Sequence, residues 1–187
     1  IFVFGTWPQL PATVIRDNLI VDNTGNTAGA IFCEGSGELT VEGNAIISNR
    51  GVSGFRGDTV LGGVYARRGY NGIPTRILIR DNLIAANAFV ENPPPWQYGG
   101  GLFCRSDTVI VTNNVIRDNV SGRSHADAAY IQPEDIGGMY CSAASLEISG
   151  TTISGNQAMW PAGLCFYGQT VLVEANTLVG HFPTNSH

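Results

Sequence analysis

Gly100-Gly101-Leu102-Phe103-Cys104 is the stretch that decides the fold, because its pattern returns four times along the chain. The other copies are Gly29-Ala30-Ile31-Phe32-Cys33, Gly62-Gly63-Val64-Tyr65-Ala66, Gly137-Gly138-Met139-Tyr140-Cys141 and Ala162-Gly163-Leu164-Cys165-Phe166. Ile1-Phe2-Val3 fits the last three positions of the same template. Downstream lie β-rich runs: Leu39-Thr40-Val41, Ile77-Leu78-Ile79, Val109-Ile110-Val111, Leu146-Glu147-Ile148 and Val171-Leu172-Val173. A column of Asn18, Asn44, Asn82 and Asn114 follows, continued by Thr151 and Asn176. Two residues on is an aliphatic column, Ile20, Ile46, Ile84, Ile116, Ile153 and Leu178. Three further on is a second polar column, Asn23, Asn49, Asn87, Asn119 and Asn156, closed by His181. Self-similarity at such periods marks a stacked architecture.

The first Asn column is spaced by 26, 38, 32, 37 and 25 residues, so a unit of about 25 is the base and the remainder is insertion. Each unit holds three short runs of period-two alternation separated by Gly or Asn, which reads as three strands and three corners. Asn and Gly tolerate the left-handed backbone that a sharp corner needs, and the corners are assigned to them on that ground. One unit cannot bury its apolar face alone; stacking units one strand spacing apart, about 4.8 Å, pairs each backbone with the coils above and below. The expected fold is all-β, a parallel β-helix of about six coils with Asn ladders and long loops at one corner. The coils fall at roughly 1–23, 29–49, 62–87, 100–119, 137–156 and 162–181, with a short tail at 182–187, in a single domain over 1–187. The pattern starts in mid-template at Ile1, which suggests a segment of a longer chain or of an assembly, with open coil ends available for self-association.

The Gly-Gly-aliphatic-aromatic-Cys run, with Ile153-Ser154-Gly155-Asn156-Gln157-Ala158, resembles bacterial right-handed parallel β-helix repeat proteins of the pectin-lyase-like superfamily. It is similar in style to the repeats of polymorphic outer-membrane adhesins. The resemblance covers essentially residues 1–180 and implies a right-handed coil; it does not imply one activity, since lyases, hydrolases, epimerases and adhesins share the repeat.

Composition excludes several classes. The formal charge is −5 and all ten basic residues are Arg, so no nucleic-acid partner is expected and no lysine base is available. No apolar run is long enough for a transmembrane helix. No Asp-rich calcium cluster, no Gly-Gly-x-Gly-x-Asp nonapeptide and no Cys-x-x-Cys is present. The expectation is therefore no cofactor and no metal; calcium has no motif here.

Alternation within each template sorts the columns into core and surface. Cys33, Ala66, Cys104 and Cys141 share the inward face and read as buried free thiols, with parallel Cβ vectors poorly suited to disulfides. The Asn columns read as ladders that satisfy the corner backbone, which would remove Asn119 of the Asn119-Val120-Ser121 sequon from glycosylation. The aromatic column Phe32, Tyr65, Phe103 and Tyr140 points away from the core. Two readings stand for it: the insertions fold over it and bury it, or its rings stack on sugars along the rod.

From the second Asn column to the glycine pair the short coils spend six residues, whereas the middle coils spend 13, 13 and 18. Loops of that size at one corner form a wall, and loops on a rigid scaffold carry function. The wall and its flanks hold Arg67, Tyr70, Trp96, Tyr98, His125, Asp127, Tyr130 and Trp160. The aromatic residues join the stripe as ligand-binding candidates for a polysaccharide or cell-surface glycan. His125, Asp127, Tyr130 and Arg67 are the weak catalytic candidates, the groups a lyase or glycoside hydrolase would use. The leading expectation is a non-enzymatic extracellular or cell-surface rod for adhesion, glycan binding or end-to-end assembly. The alternative is a polysaccharide lyase or hydrolase acting across the loop wall.

Overall fold

A computed structural model describes residues 1–4, 12–26, 28–35, 37–52, 60–67, 75–90, 98–122, 136–158 and 162–183. Among these residues the chain is all-β, and every strand pairing is parallel and in register with the equivalent strand of the next coil. Three ladders run along the coils. A nine-stranded sheet carries the template and the β-rich run; two six-stranded sheets carry the segments after the first and second Asn columns.

Three runs per unit hold only in the later coils, and four strands are formed in the early ones. There the first two runs are separate strands, as in Ile31–Glu34 and Glu38–Glu42, or Val64–Arg67 and Arg76–Arg80. In the later coils nothing is inserted between them, and they fuse into single bent strands of 11 residues, Leu102–Thr112, Met139–Ser149 and Leu164–Glu174. The long sheet therefore has two legs meeting at a bend.

The core is the inward column set. Ile31, Val64, Leu102 and Met139 stack beside Cys33, Ala66, Cys104 and Cys141, and the second leg adds Val41, Ile79, Val111 and Ile148. Ile46, Ile84, Ile116 and Ile153 close the opposite side, each fully buried. All four cysteines are free thiols. Burial, and then the neighbouring Cys141 thiol, push the Cys104 thiol well above its ordinary pKa, so this stack behaves as small apolar side chains.

Both Asn ladders form. Asn49 Nδ2 donates to Asn87 Oδ1 at 3.0 Å and to the Ile20 carbonyl at 2.9 Å, while the Asn49 backbone N–H donates to the same Asn87 Oδ1. Asn87 repeats this with Asn119, and Asn119 with Asn156. The first ladder runs Asn18, Asn44, Asn82, Asn114, passes to the Thr151 hydroxyl, and continues from the Thr151 backbone N–H to Asn176 Oδ1 at 2.9 Å. Asn119 is wholly buried with its amide committed to the Ile84 carbonyl, so it cannot take a glycan.

The corners differ from expectation in one respect. The left-handed residue is not the ladder Asn but the one before it: Asp17, Gly43, Asp81, Asn113, Gly150 and Ala175 at one corner, Asp22, Ser48, Ala86, Asp118, Gly155 and Gly180 at the other. The chain turns on that residue, which frees the following Asn to point inward and reach the adjacent coil. The glycine pair answers a different demand, close approach. A Cβ on Gly100 would lie 2.5 Å from the Val120 backbone nitrogen, because the strand enters the coil directly against the third sheet.

Candidate functional site

The outward side of the long sheet's first leg has two columns, and they have opposite fates. The aromatic column Phe32, Tyr65, Phe103 and Tyr140 does point away from the main core, but it is buried. Its rings stack on one another, with centroids 4.9, 5.1 and 5.0 Å apart and planes within 11° of parallel. Leu61 and Ile136, brought in at the ends of the insertions, complete a second apolar cluster over these rings, with Ala28 and Cys165 at its margin. Tyr98–Gly99 pairs with Val60–Leu61 as a short extra ladder there. The reading in which sugars stack on this column is thus corrected: the ring faces of Tyr65 and Phe103 are filled by their neighbours on both sides, and Leu61 and Ile136 pack against the stripe.

The other wall candidates, Tyr70, Trp96, His125, Asp127, Tyr130 and Trp160, lie outside the described residues. Arg67 is placed: it lies in the second outward column, with Nη1 3.4 Å from the Tyr65 hydroxyl.

That second column stays accessible. Across the coils it reads Glu34, Arg67, Arg105, Ser142 and Tyr167, each in register with the next. Where the long strands bend it borders a groove of about 440 Å³. Small residues, Ser142, Ala143, Ala144 and Gly168, make the floor, and Arg105, Asp107, Tyr167 and Gln169 supply the functional groups. Arg105 and Gln169 are exposed, Tyr167 is half-exposed and Asp107 is partly buried.

The bend is held by a local network. The Thr75 and Ser106 hydroxyls share a hydrogen bond, and Ser106 Oγ also donates to the Thr75 carbonyl at 2.9 Å. Asp107 accepts from the Thr75 backbone N–H at 2.9 Å. Asp107 thereby clamps the point where the chain rejoins the coil after its insertion at 68–74, which fixes one rim of the groove. Tyr167 is positioned by a tilted contact with Tyr140, ring centroids 6.0 Å apart.

Such a groove can hold a hydroxyl-rich ligand: a half-exposed aromatic ring, a guanidinium, a primary amide and a hydroxyl converge over a floor without bulk. Among the described residues no group of three or more His, Cys, Asp and Glu side chains gathers as a metal site. Sequence reasoning missed Arg105, Asp107, Ser142, Tyr167 and Gln169, which lie on the coil strands and not in the long loops where aromatic and charged residues cluster. A signal was available: Arg105-Ser106-Asp107, Ser142-Ala143-Ala144 and Tyr167-Gly168-Gln169 stand at one offset from the template in three successive coils, polar or small where strands are usually apolar.

A family model described as a right-handed beta helix region matches residues 11–132. No curated protein and no solved structure matches the chain.

Proposed function

The chain belongs to the right-handed β-helix family, and from that premise we propose that it is a non-enzymatic extracellular or cell-surface rod that binds glycan. The observation that carries this reading is the groove at the bend of the long sheet, with the half-exposed Tyr167 ring beside Arg105, Ser142 and Gln169. A pyranose ring offers an apolar face to an aromatic ring and hydroxyls to amide, hydroxyl and guanidinium groups around it. A location outside the cell is part of the same proposal, since polymeric glycans lie there. Among the described residues the groove offers no pair of carboxylates flanking one bond: Asp107 is the one acid lining it there, and it accepts from the Thr75 backbone N–H.

The test is a panel of neutral and acidic oligosaccharides titrated calorimetrically into the protein and into Tyr167→Ala. Binding with the variant weakened about tenfold is expected, the loss of one stacked ring being worth about 1.4 kcal/mol. Absence of any binding, or binding indifferent to Tyr167, overturns the proposal. The same oligosaccharides, followed for unsaturated ends and new reducing ends, address the enzymatic alternative; turnover would replace the rod reading.

A further inference from the structure

We infer that two copies of this chain associate through the open face of the coil at 162–183, about a two-fold axis at the bend of Leu164–Glu174. The contact is separate from glycan binding, and neither depends on the other.

Among the described residues fourteen large hydrophobic side chains are exposed, and eight of them lie between Phe166 and Phe182. Leu164, Phe166, Val171 and Val173 are the last members of the inward columns, in register with Met139, Cys141, Leu146 and Ile148 of the main core. This coil therefore presents a cross-section of that core to solvent, beside an unpaired strand edge. A head-to-tail contact would seat this face on the first coil. There the inward side chains are already covered: Ile15 and Ile20 are 6% and 7% exposed, against 40% and 48% for Val173 and Leu178. The matching open face is thus the same face of a second copy, and such an isologous contact closes at two.

The edge strand is self-complementary in that arrangement. Gly163 and Glu174 spend their carbonyls on the Met139 and Gly150 N–H groups of the coil before. Backbone groups alternate in direction along a strand, so Leu164 and Val173, one residue inside each, turn theirs to the open edge. Antiparallel pairing about a point between Gly168 and Gln169 sets Leu164 against the partner's Val173 and Phe166 against the partner's Val171. Each inward side chain then meets an inward one, and the two legs of the strand exchange places across the bend. On the outward side Cys165 meets the partner's Leu172. Glu174, the one acid in residues 162–183, falls opposite the partner's Gly163, so the two carboxylates do not face each other.

The experiment uses the 187-residue chain at pH 7.5, in sedimentation equilibrium from about 1 to 100 μM. The mass should rise with concentration to twice that of the chain and stop there. Phe166→Glu should weaken the dimer at least about tenfold, and Val115→Glu, on a lateral face, should leave it unchanged. Register is read from Leu172→Cys treated with diamide, two thiols giving one disulfide as the diazene is reduced to a hydrazine. A covalent dimer bridged between position 172 and Cys165 is expected, because that pair lies between the hydrogen-bonded ones, where Cα atoms stand about 4.5 Å apart. A monomer at the highest concentration, a mass that climbs past two copies, a dimer indifferent to Phe166→Glu, or a bridge between other positions overturns the inference. Should Phe166→Glu fail to fold, the mass and the bridge still decide.

Discussion

Asn49 and Asn87, 38 residues apart in sequence, occupy the same place in adjacent coils, and the Asn87 Oδ1 accepts both the backbone and the side-chain N–H of Asn49. Neither residue has any solvent exposure. One side chain thus satisfies two buried donors of the preceding coil, and its own amide satisfies the Ile46 carbonyl. Asn87→Leu removes all three at once. Stranding buried polar groups costs about 1–3 kcal/mol each before relaxation, so a loss near the upper end of that range is expected in urea denaturation. Asn18→Leu, at an exposed rung, is expected to cost under about 1 kcal/mol; equal effects at the two sites would show that the ladder contributes no more than its surface members.

Two glycines separate close approach from backbone sign. Gly100→Ala drives a methyl group into the backbone of Val120, with no flexible atom to give way, and is expected to lower stability by about 3 kcal/mol or prevent folding. Gly43→Ala meets only the tip of the Asp17 carboxylate, but at a φ of +64°. About 1 kcal/mol is expected there. Thermal melts of the two variants check the order; Gly43→Ala as the more damaging change would contradict it.

The stacked aromatic column is an element of stability. Phe103→Ala leaves a cavity between Tyr65 and Tyr140 under Leu61 and Ile136, at an expected cost of about 3–5 kcal/mol. Phe103→Leu should recover more than half of it by refilling the volume. Circular dichroism melts read both.

His181 stands where the second ladder would call for Asn, packed over Gly163 in the last coil. Burial lowers its pKa below the usual histidine value, and the carbonyls of Ile153 and Asn156 only partly oppose this. The unfolded chain therefore binds the proton more readily than the folded one. Stability should be constant above about pH 6.5 and fall as pH drops below that value, levelling once the folded-state pKa is passed. The affected region is the last coil, where Val173 and Leu178 are 40% and 48% exposed although their counterparts Ile148 and Ile153 are fully buried. Hydrogen exchange at pH 7.5 and 5.5 should reveal faster opening of Leu164–Glu174 in acid, and His181→Asn should remove the difference.

The buried thiols predict a chemical phenotype. Cys33, Cys104 and Cys141 should resist thiol reagents at neutral pH until the protein unfolds, and Cys165, only partly buried, should be modified first. Mass analysis of the native, briefly labelled protein checks this; early labelling of Cys104 would refute the packing of the stack.

The sequence by itself determined the coil. Its columns recur because each must occupy one place in a stack: an inward position one coil spacing from the next accepts only a side chain that packs against its own kind, so Ile46, Ile84, Ile116 and Ile153 line up in the text as in space. The Asn columns were legible for the same reason, since an amide can pair only with another polar group at the same height. Alternation also gave the aromatic column its outward direction. The tertiary structure alone decided what covers that column. Leu61 and Ile136 reach it from insertions of unequal length, and no period in the sequence says where a loop returns. It also decided that the turning residue is the one before each ladder Asn, because a corner's handedness is set by where the next strand must pair. And it alone decided which outward column stays open: the template offset puts Arg105, Ser142 and Tyr167 at one place in successive coils, but only the fold leaves that column accessible while the aromatic column beside it is buried.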